Sequence, residues 1–71
     1  MKNTIRICVV GLGRAGNFHL TSIERINGLE LHSVIDTDSA LVQREGELRS
    51  CRWGTELTEF LNDDTLDAVI V

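Results

Sequence analysis

The 71-residue sequence predicts an α/β fold, a parallel sheet flanked by helices, in the order β-α-β-α-β-α-β. Three observations predict it. Thr4 to Val10 reads Thr-Ile-Arg-Ile-Cys-Val-Val, β-branched and nearly continuous in apolar character, as a strand covered on both faces requires. A second run of this kind, Asp67-Ala68-Val69-Ile70-Val71, lies at the other end. Between them, segments with helical spacing of apolar residues alternate with short strand-like ones, which implies right-handed crossovers between parallel strands.

Each element has its own signal. The first strand breaks at Gly11, and from about Arg14 the residues Ala15, Phe18, Ile23 and Ile26 recur at helix-like intervals, predicting a helix with these on its inner face. Asn27-Gly28 stops it, because glycine readily takes the left-handed conformation beyond a helix end. Leu29 to Ile35 is a second strand, with Leu29, Leu31, Ser33 and Ile35 alternating with Glu30, His32 and Val34. Asp38 or Ser39 caps a second helix carrying Ala40, Leu41, Val42 and Leu48; Gly46 weakens its middle. A short strand around Cys51 to Trp53 is followed by Thr55, a cap for a third helix with Leu57, Phe60 and Leu61 on one face and Glu56 and Glu59 near its positive end. Asn62-Asp63-Asp64 ends that helix before the last strand.

Composition narrows the function classes. Hydrophobic residues are 42% of the chain and charged residues 25%, values of a globular protein rather than a disordered chain, and no stretch approaches the roughly 20 apolar residues of a membrane helix. Seven basic against eleven acidic side chains leave a net charge of -4, so nucleic acid is not the expected partner. Cys8 and Cys51 fit neither a CxxC motif nor a zinc-ligand spacing; they read as two reduced thiols acting as small hydrophobes, and no metal is expected. The apolar run between Arg6 and Arg14 is too short for a signal peptide, and the expected location is cytoplasmic.

The chemistry concentrates in one place. Gly11, Gly13 and Gly16 form a GxGxxG directly after the first strand and at the opening of the first helix, and Asp36 ends the second strand 20 residues after Gly16. Glycines in that spacing are weak evidence by themselves; the strand, the helix and the acid make them a dinucleotide fingerprint. Gly11 permits the tight turn, Gly13 lets a pyrophosphate approach the backbone, and Gly16 lets the helix lie close to the sheet. Amides near Arg14 and Ala15 then face the phosphates at the positive helix end, so a net-negative protein can bind a negative cofactor. Asp36 would accept hydrogen bonds from ribose hydroxyls and repel a 2′-phosphate, and Thr37 and Asp38 supply no arginine for one. This favours NAD over NADP. A Walker loop would want Lys and Ser or Thr after Gly16, where Asn17 stands, and a methyltransferase GxGxG fails at Ala15; an FAD domain stays open. The bland readings are a ligand-free turn for the glycines and a strand-end turn residue for Asp36.

Val10-Gly11-Leu12-Gly13-Arg14-Ala15-Gly16 with His19, Val34-Ile35-Asp36-Thr37-Asp38, Thr55-Glu56-Leu57 with Phe60-Leu61, and Leu66 to Val71 together resemble the N-terminal end of a Gfo/Idh/MocA oxidoreductase. The resemblance covers essentially the whole chain. It implies a Rossmann-like domain of an NAD(P)-dependent dehydrogenase acting on a sugar, cyclitol or related polyol, with a C-terminal domain that holds much of the substrate site and a homo-oligomer interface. Gly11, Gly13, Arg14, Ala15 and Gly16 then match the pyrophosphate loop and Asp36 the ribose site, with Thr37 adjacent. The family's catalytic Glu-Lys-Pro segment and later histidine match nothing here and would lie beyond Val71, so no residue of the chain is assigned a catalytic role. Residues 1–71 are expected to be the N-terminal part of a dinucleotide-binding domain within a longer protein: the first β-α-β-α-β half and the strand that opens the second. The competing hypothesis is a non-catalytic nucleotide-binding or redox-sensing module on the same pocket. His19 reads as structural, with its imidazole hydrogen-bonded near the helix and loop; His32 as a satisfied or solvent-facing histidine; Trp53 as packing rather than an adenine platform; Arg14 as a phosphate ligand through its amide.

Overall fold

The computed structural model describes residues 4–71. Four strands, β1 (Ile5–Val10), β2 (Leu29–Ile35), β3 (Arg52–Gly54) and β4 (Ala68–Ile70), form one sheet in the order β3-β2-β1-β4, with every pair parallel. Helices α1 (Arg14–Arg25) and α2 (Ser39–Arg49) make the first two crossovers, and a single 3₁₀ turn, Leu57–Glu59, lies in the third. Because β2 and β4 flank β1 on opposite sides, the chain reverses its direction of travel across the sheet at β1. In such folds a ligand crevice opens at the carboxyl ends of the strands beside that reversal.

Alternation along β1 sends Ile7 and Val9 to one face and Cys8 and Val10 to the other, so two cores form. Ile7 and Val9 pack with Leu12, Leu20, Ile23, Val34 and Val42 under α1 and α2. Cys8 packs with Ile35 and Phe60, and with Val10, Leu57 and Leu66, beneath the 3₁₀ turn and the loop that follows it. An Arg49–Glu24 ion pair joins α2 to α1.

The simple alternation expected of β2 is broken by a bulge. Ile7 pairs with Leu31 and Cys8 with Ser33, so the register skips His32. Bulges are rare between parallel strands. Side-chain parity shifts past this point: Leu29 and Leu31 pack on the helix-side core together with Val34, while Ser33 and Ile35 turn to the opposite face.

Helix α1 lies where expected, but its inner face is Gly16, Leu20 and Ile23. Ala15, Phe18 and Ile26 point outward, Phe18 with 71% of its surface exposed. Phe18 sits two residues from both Gly16 and Leu20, which places it on the far side of a 3.6-residue turn. Gly28, at φ +93°, makes the expected exit. Asp38 caps α2, its carboxylate accepting from the Leu41 amide at 3.1 Å. Gly46 has a packing reason: a Cβ there would overlap the Trp53 ring, with the Trp53 Cβ 2.9 Å away. Trp53 covers α2, in line with the packing role read from the sequence.

The predicted third helix is the largest departure. Only the 3₁₀ turn forms, capped by Glu56 and Glu59 reciprocally rather than by Thr55, and Leu61 is exposed while Phe60 is buried. The Glu59 carboxylate accepts from the Thr55 and Glu56 amides, both at 3.2 Å. A side chain bonded back to its own turn closes that turn and competes with continuation of a helix. The strand expected at Cys51 to Trp53 is shifted by one residue, to Arg52–Gly54, because Ser50 takes a left-handed C-cap conformation and Cys51 is used in leaving α2. No helix of the described residues is long and apolar enough to cross a membrane.

Candidate dinucleotide site

The carboxyl ends of β1, β2 and β3 bring the glycine loop, Asp36 and the turn after Gly54 together. Gly11 donates to the Ile35 carbonyl at 2.7 Å, the last rung between β1 and β2, and then turns with φ +89°, a value L side chains rarely adopt. Gly16 is required by contact: a Cβ there would overlap the Gly11 carbonyl oxygen and lie 3.0 Å from its carbon. Gly13 is under neither constraint. Its φ is -70°, and a Cβ built on it meets nothing within 4 Å. It is the N-cap of α1, and its carbonyl accepts from the Asn17 amide at 3.0 Å. The amides of Arg14, Ala15 and Gly16, in the first turn, have no intrahelical acceptor, no N-cap side chain bonds to them and no acidic side chain lies among them, so they point unpaired from the positive end of the helix.

Asp36 is held from two sides. Its Oδ2 accepts from the Leu12 amide at 2.8 Å and its Oδ1 from the Asp38 amide at 2.9 Å. These bonds, first that from Asp38 and then that from Leu12, hold the carboxyl below the usual aspartate range, against a smaller opposing effect of burial. The group is therefore anionic at neutral pH, and each oxygen keeps a free lone pair. It fastens the glycine loop to the turn that starts α2.

Beside it lies an open cleft of about 250 Å³ lined by Val10, Gly11, Ile35, Asp36, Thr37, Thr55 and Leu57. Thr37 is thus brought to the site as the sequence suggested. Gly13, Arg14, Ala15 and Gly16 border the loop rather than this cleft. Thr55 and Leu57 were not expected at the site; the signal that could have found them is their position just past the carboxyl end of β3, the third strand to reach the crevice. Larger hollows lie elsewhere, on the outer face of α2, around Trp53 and beside Arg6 and His32, but neither the glycine loop nor Asp36 lines any of them.

The hydrogen bond expected of His19 is not found among the described residues; its ring meets Phe18 edge-on at 6.1 Å. His32 is satisfied at both nitrogens, by Ser33 through Nδ1 and by Asp63 and Thr65 through Nε2. Both cysteines are free thiols. Burial raises the Cys8 thiol, partly offset by Ser33, and pushes Cys51 up to about 11 against the attraction of Arg49.

A dinucleotide needs unpaired amides for its diphosphate, a gap in the side-chain layer at the point of closest approach, and an acceptor for ribose hydroxyls. The residues present fit all three. Residues 5–71 also match the family described as "Oxidoreductase family, NAD-binding Rossmann fold". The chain belongs to the Gfo/Idh/MocA oxidoreductases.

Among curated Gfo/Idh/MocA-like relatives, inositol 2-dehydrogenase of Arthrobacter sp. is 33% identical over 73 residues and inositol 2-dehydrogenase 1 of Paenarthrobacter aurescens 35% over 74. Each alignment takes in 100% of this chain and 22% of the relative, so the chain spans about a fifth of their length. In three dimensions it is similar to the WlbA dehydrogenase from Bordetella pertussis, solved with NADH and UDP-GlcNAcA, at TM-score 0.86 and 25% identity over 100% of this chain and 21% of that one. A myo-inositol dehydrogenase from Corynebacterium glutamicum matches at TM-score 0.83 and 29% identity, over 93% of this chain and 20% of its own.

Proposed function

We propose that these residues form the NAD-binding part of a dehydrogenase that moves hydride between a nicotinamide cofactor and a sugar, cyclitol or related polyol. Gly11, Gly13 and Gly16 with the amides of Arg14 and Ala15 hold the pyrophosphate, and Asp36, with Thr37 beside it, holds the adenosine ribose. The observation that carries this reading is Gly13: backbone and packing demand glycine at 11 and 16, whereas nothing in the fold demands it at 13. A bound diphosphate does. When bound, the cofactor supplies the hydride chemistry; the residues named here bind and orient it.

Asp36 supports NAD over NADP. Its carboxylate is fixed and anionic at the cleft, and a 2′-phosphate placed there would meet that charge with Asp38 next in line. Isothermal titration with both cofactors tests this. NAD(H) is expected to bind at least tenfold more tightly than NADP(H), and equal or reversed affinities would remove Asp36 from the ribose site.

The polyol substrate rests on the inositol dehydrogenases to which the chain is similar. A substrate domain and a homo-oligomer interface elsewhere in the whole protein belong to the same proposal, as does a cytoplasmic location, which two free thiols favour. Size-exclusion chromatography with light scattering of the whole protein, and a substrate panel run with NAD, check the first two.

A further inference from the structure

The second core is covered by little regular structure. One 3₁₀ turn and the loop through Asp67 hold Phe60 and Leu57 against Cys8, Val10 and Ile35. Three of these residues, Val10, Ile35 and Leu57, also line the cleft beside Asp36, so the core and the cleft share a wall. A short turn does not fix its own side chains, and two clusters of hydrogen bonds do this instead. Glu59 closes the end nearest the cleft.

His32 closes the other end. Alternation from Leu31 already puts it on this face and the β2 bulge turns Ser33 to the same side, with 5% of the His32 side chain exposed. Its Nδ1 lies 2.8 Å from the Ser33 hydroxyl, and its Nε2 lies 3.0 Å from Asp63 Oδ2 and 3.1 Å from Thr65 Oγ1. Its ring edge meets Phe60 at 5.8 Å and 85°. Asp63 in turn accepts from the Thr65 amide and hydroxyl at 2.8 and 2.6 Å and from Arg52 at 2.8 Å; the Thr65 hydroxyl, then the Thr65 amide, then His32 keep its carboxyl well below the usual aspartate range. A bulge that is rare between parallel strands thus sets Ser33 beside a buried histidine bonded at both nitrogens, and that histidine pins the loop that follows the turn carrying Leu57.

We propose that His32, through Asp63 and Phe60, is a positioning residue for the adenosine half of the cofactor, seating Leu57 as the apolar wall against which the adenine packs. This rests on the NAD-binding reading above. Removing the imidazole takes away the contact that ties Asp63 and Thr65 to β2, although Asp63 keeps its bonds from Thr65 and Arg52, and so lets Phe60 and Leu57 shift; the glycine loop, tied to β2 through Gly11 and to Asp36 through Leu12, stays in place.

Adenosine 5′-monophosphate is the probe, because it reports the adenosine half alone. Calorimetric titration compares wild type, His32→Phe, Leu57→Ala and the double variant, at a temperature where thermal melts show each to be folded. His32→Phe keeps a ring against Phe60 and is expected to weaken AMP binding five- to tenfold. If His32 acts through Leu57, the double variant binds no more weakly than the worse single variant. Thr65→Val, which removes one partner of Nε2, is expected to show a smaller loss in the same direction and stands in if His32→Phe does not fold. AMP affinity within twofold of wild type in whichever of these folds, or losses that multiply in the double variant, overturns the proposal. Absence of both NAD and AMP binding in wild type would instead overturn the NAD-binding reading itself.

Discussion

Gly13→Ala separates what the cofactor requires from what the fold requires. The added methyl meets nothing within 4 Å and φ is -70°, so no strain follows. Alanine is a poorer N-cap than glycine by roughly 0.5 kcal/mol. It also removes unfolded-state freedom worth about 0.4 to 1 kcal/mol. The two nearly cancel, and the melting temperature should move by no more than about 3 °C for a domain of this size. Binding is another matter. In the proposed complex the methyl would stand in the path of a pyrophosphate approaching the Arg14 and Ala15 amides, and losing one hydrogen bond to a charged phosphate costs about 1.5 to 3 kcal/mol, or roughly 10- to 150-fold in affinity. Gly16→Ala should behave in the opposite sense. Its methyl would overlap the Gly11 carbonyl, and overpacking of this kind costs about 1 to 3 kcal/mol, lowering the melting temperature by roughly 5 to 20 °C. Differential scanning calorimetry and NAD titration on both variants give the comparison. If Gly13→Ala binds NAD within threefold of wild type while folded, the argument that the gap at Gly13 exists for a diphosphate is wrong.

Three further outcomes follow from other parts of the structure. Asp36 has a folded-state pKa below its ordinary value of 3.8, so its hydrogen bonds stabilise the fold above that pH and are lost as pH falls through the lower folded value; the stability gap between wild type and Asp36→Asn should narrow below about pH 3.8 in denaturant titrations, and a gap independent of pH would contradict the clip. Gly46→Ala should lower the melting temperature although alanine is the better helix former by about 0.8 to 1 kcal/mol, because the methyl would enter the Trp53 ring; a stabilised variant would show that Trp53 swings away freely. With Cys51 raised to about 11 and Cys8 also raised and buried, both thiols should react with iodoacetamide at pH 8 more slowly than free cysteine, and rapid labelling of the folded protein would refute their burial.

The strands and the glycine loop were legible because their signals are local. Six β-branched or apolar residues among the seven of Thr4 to Val10, a glycine triplet and an acid at the right distance each specify their own geometry, and the order of elements followed from them. What escaped was set by contacts between distant residues. The face on which Phe18 sits depends on the close approach of Gly16 to Gly11, which fixes the rotation of α1 and turns Phe18 to solvent. The third helix carried helical spacing at Leu57, Phe60 and Leu61, but Glu59 bonds back onto the Thr55 and Glu56 amides and Phe60 docks on β2, so one turn forms and no more. The β2 bulge left no mark in the period-2 pattern, because Ser33 and His32 are both compatible with either face. At the site, the loop, Asp36 and Thr37 could be named from sequence, whereas Thr55 and Leu57 reach it only through the parallel register of β3 against β2.

In the proposed function the amides opening α1 and the Asp36 clip hold a dinucleotide. Backbone-amide NMR of the chain titrated with NAD tests it most directly. Saturable shifts are predicted at Gly13, Arg14, Ala15, Gly16, Asp36 and Thr37, with Gln43 and Arg44 on the outer face of α2 unmoved. Saturable shifts that cluster on α2 or around Trp53, or amides at residues 13–16 that do not respond to millimolar NAD, would contradict it.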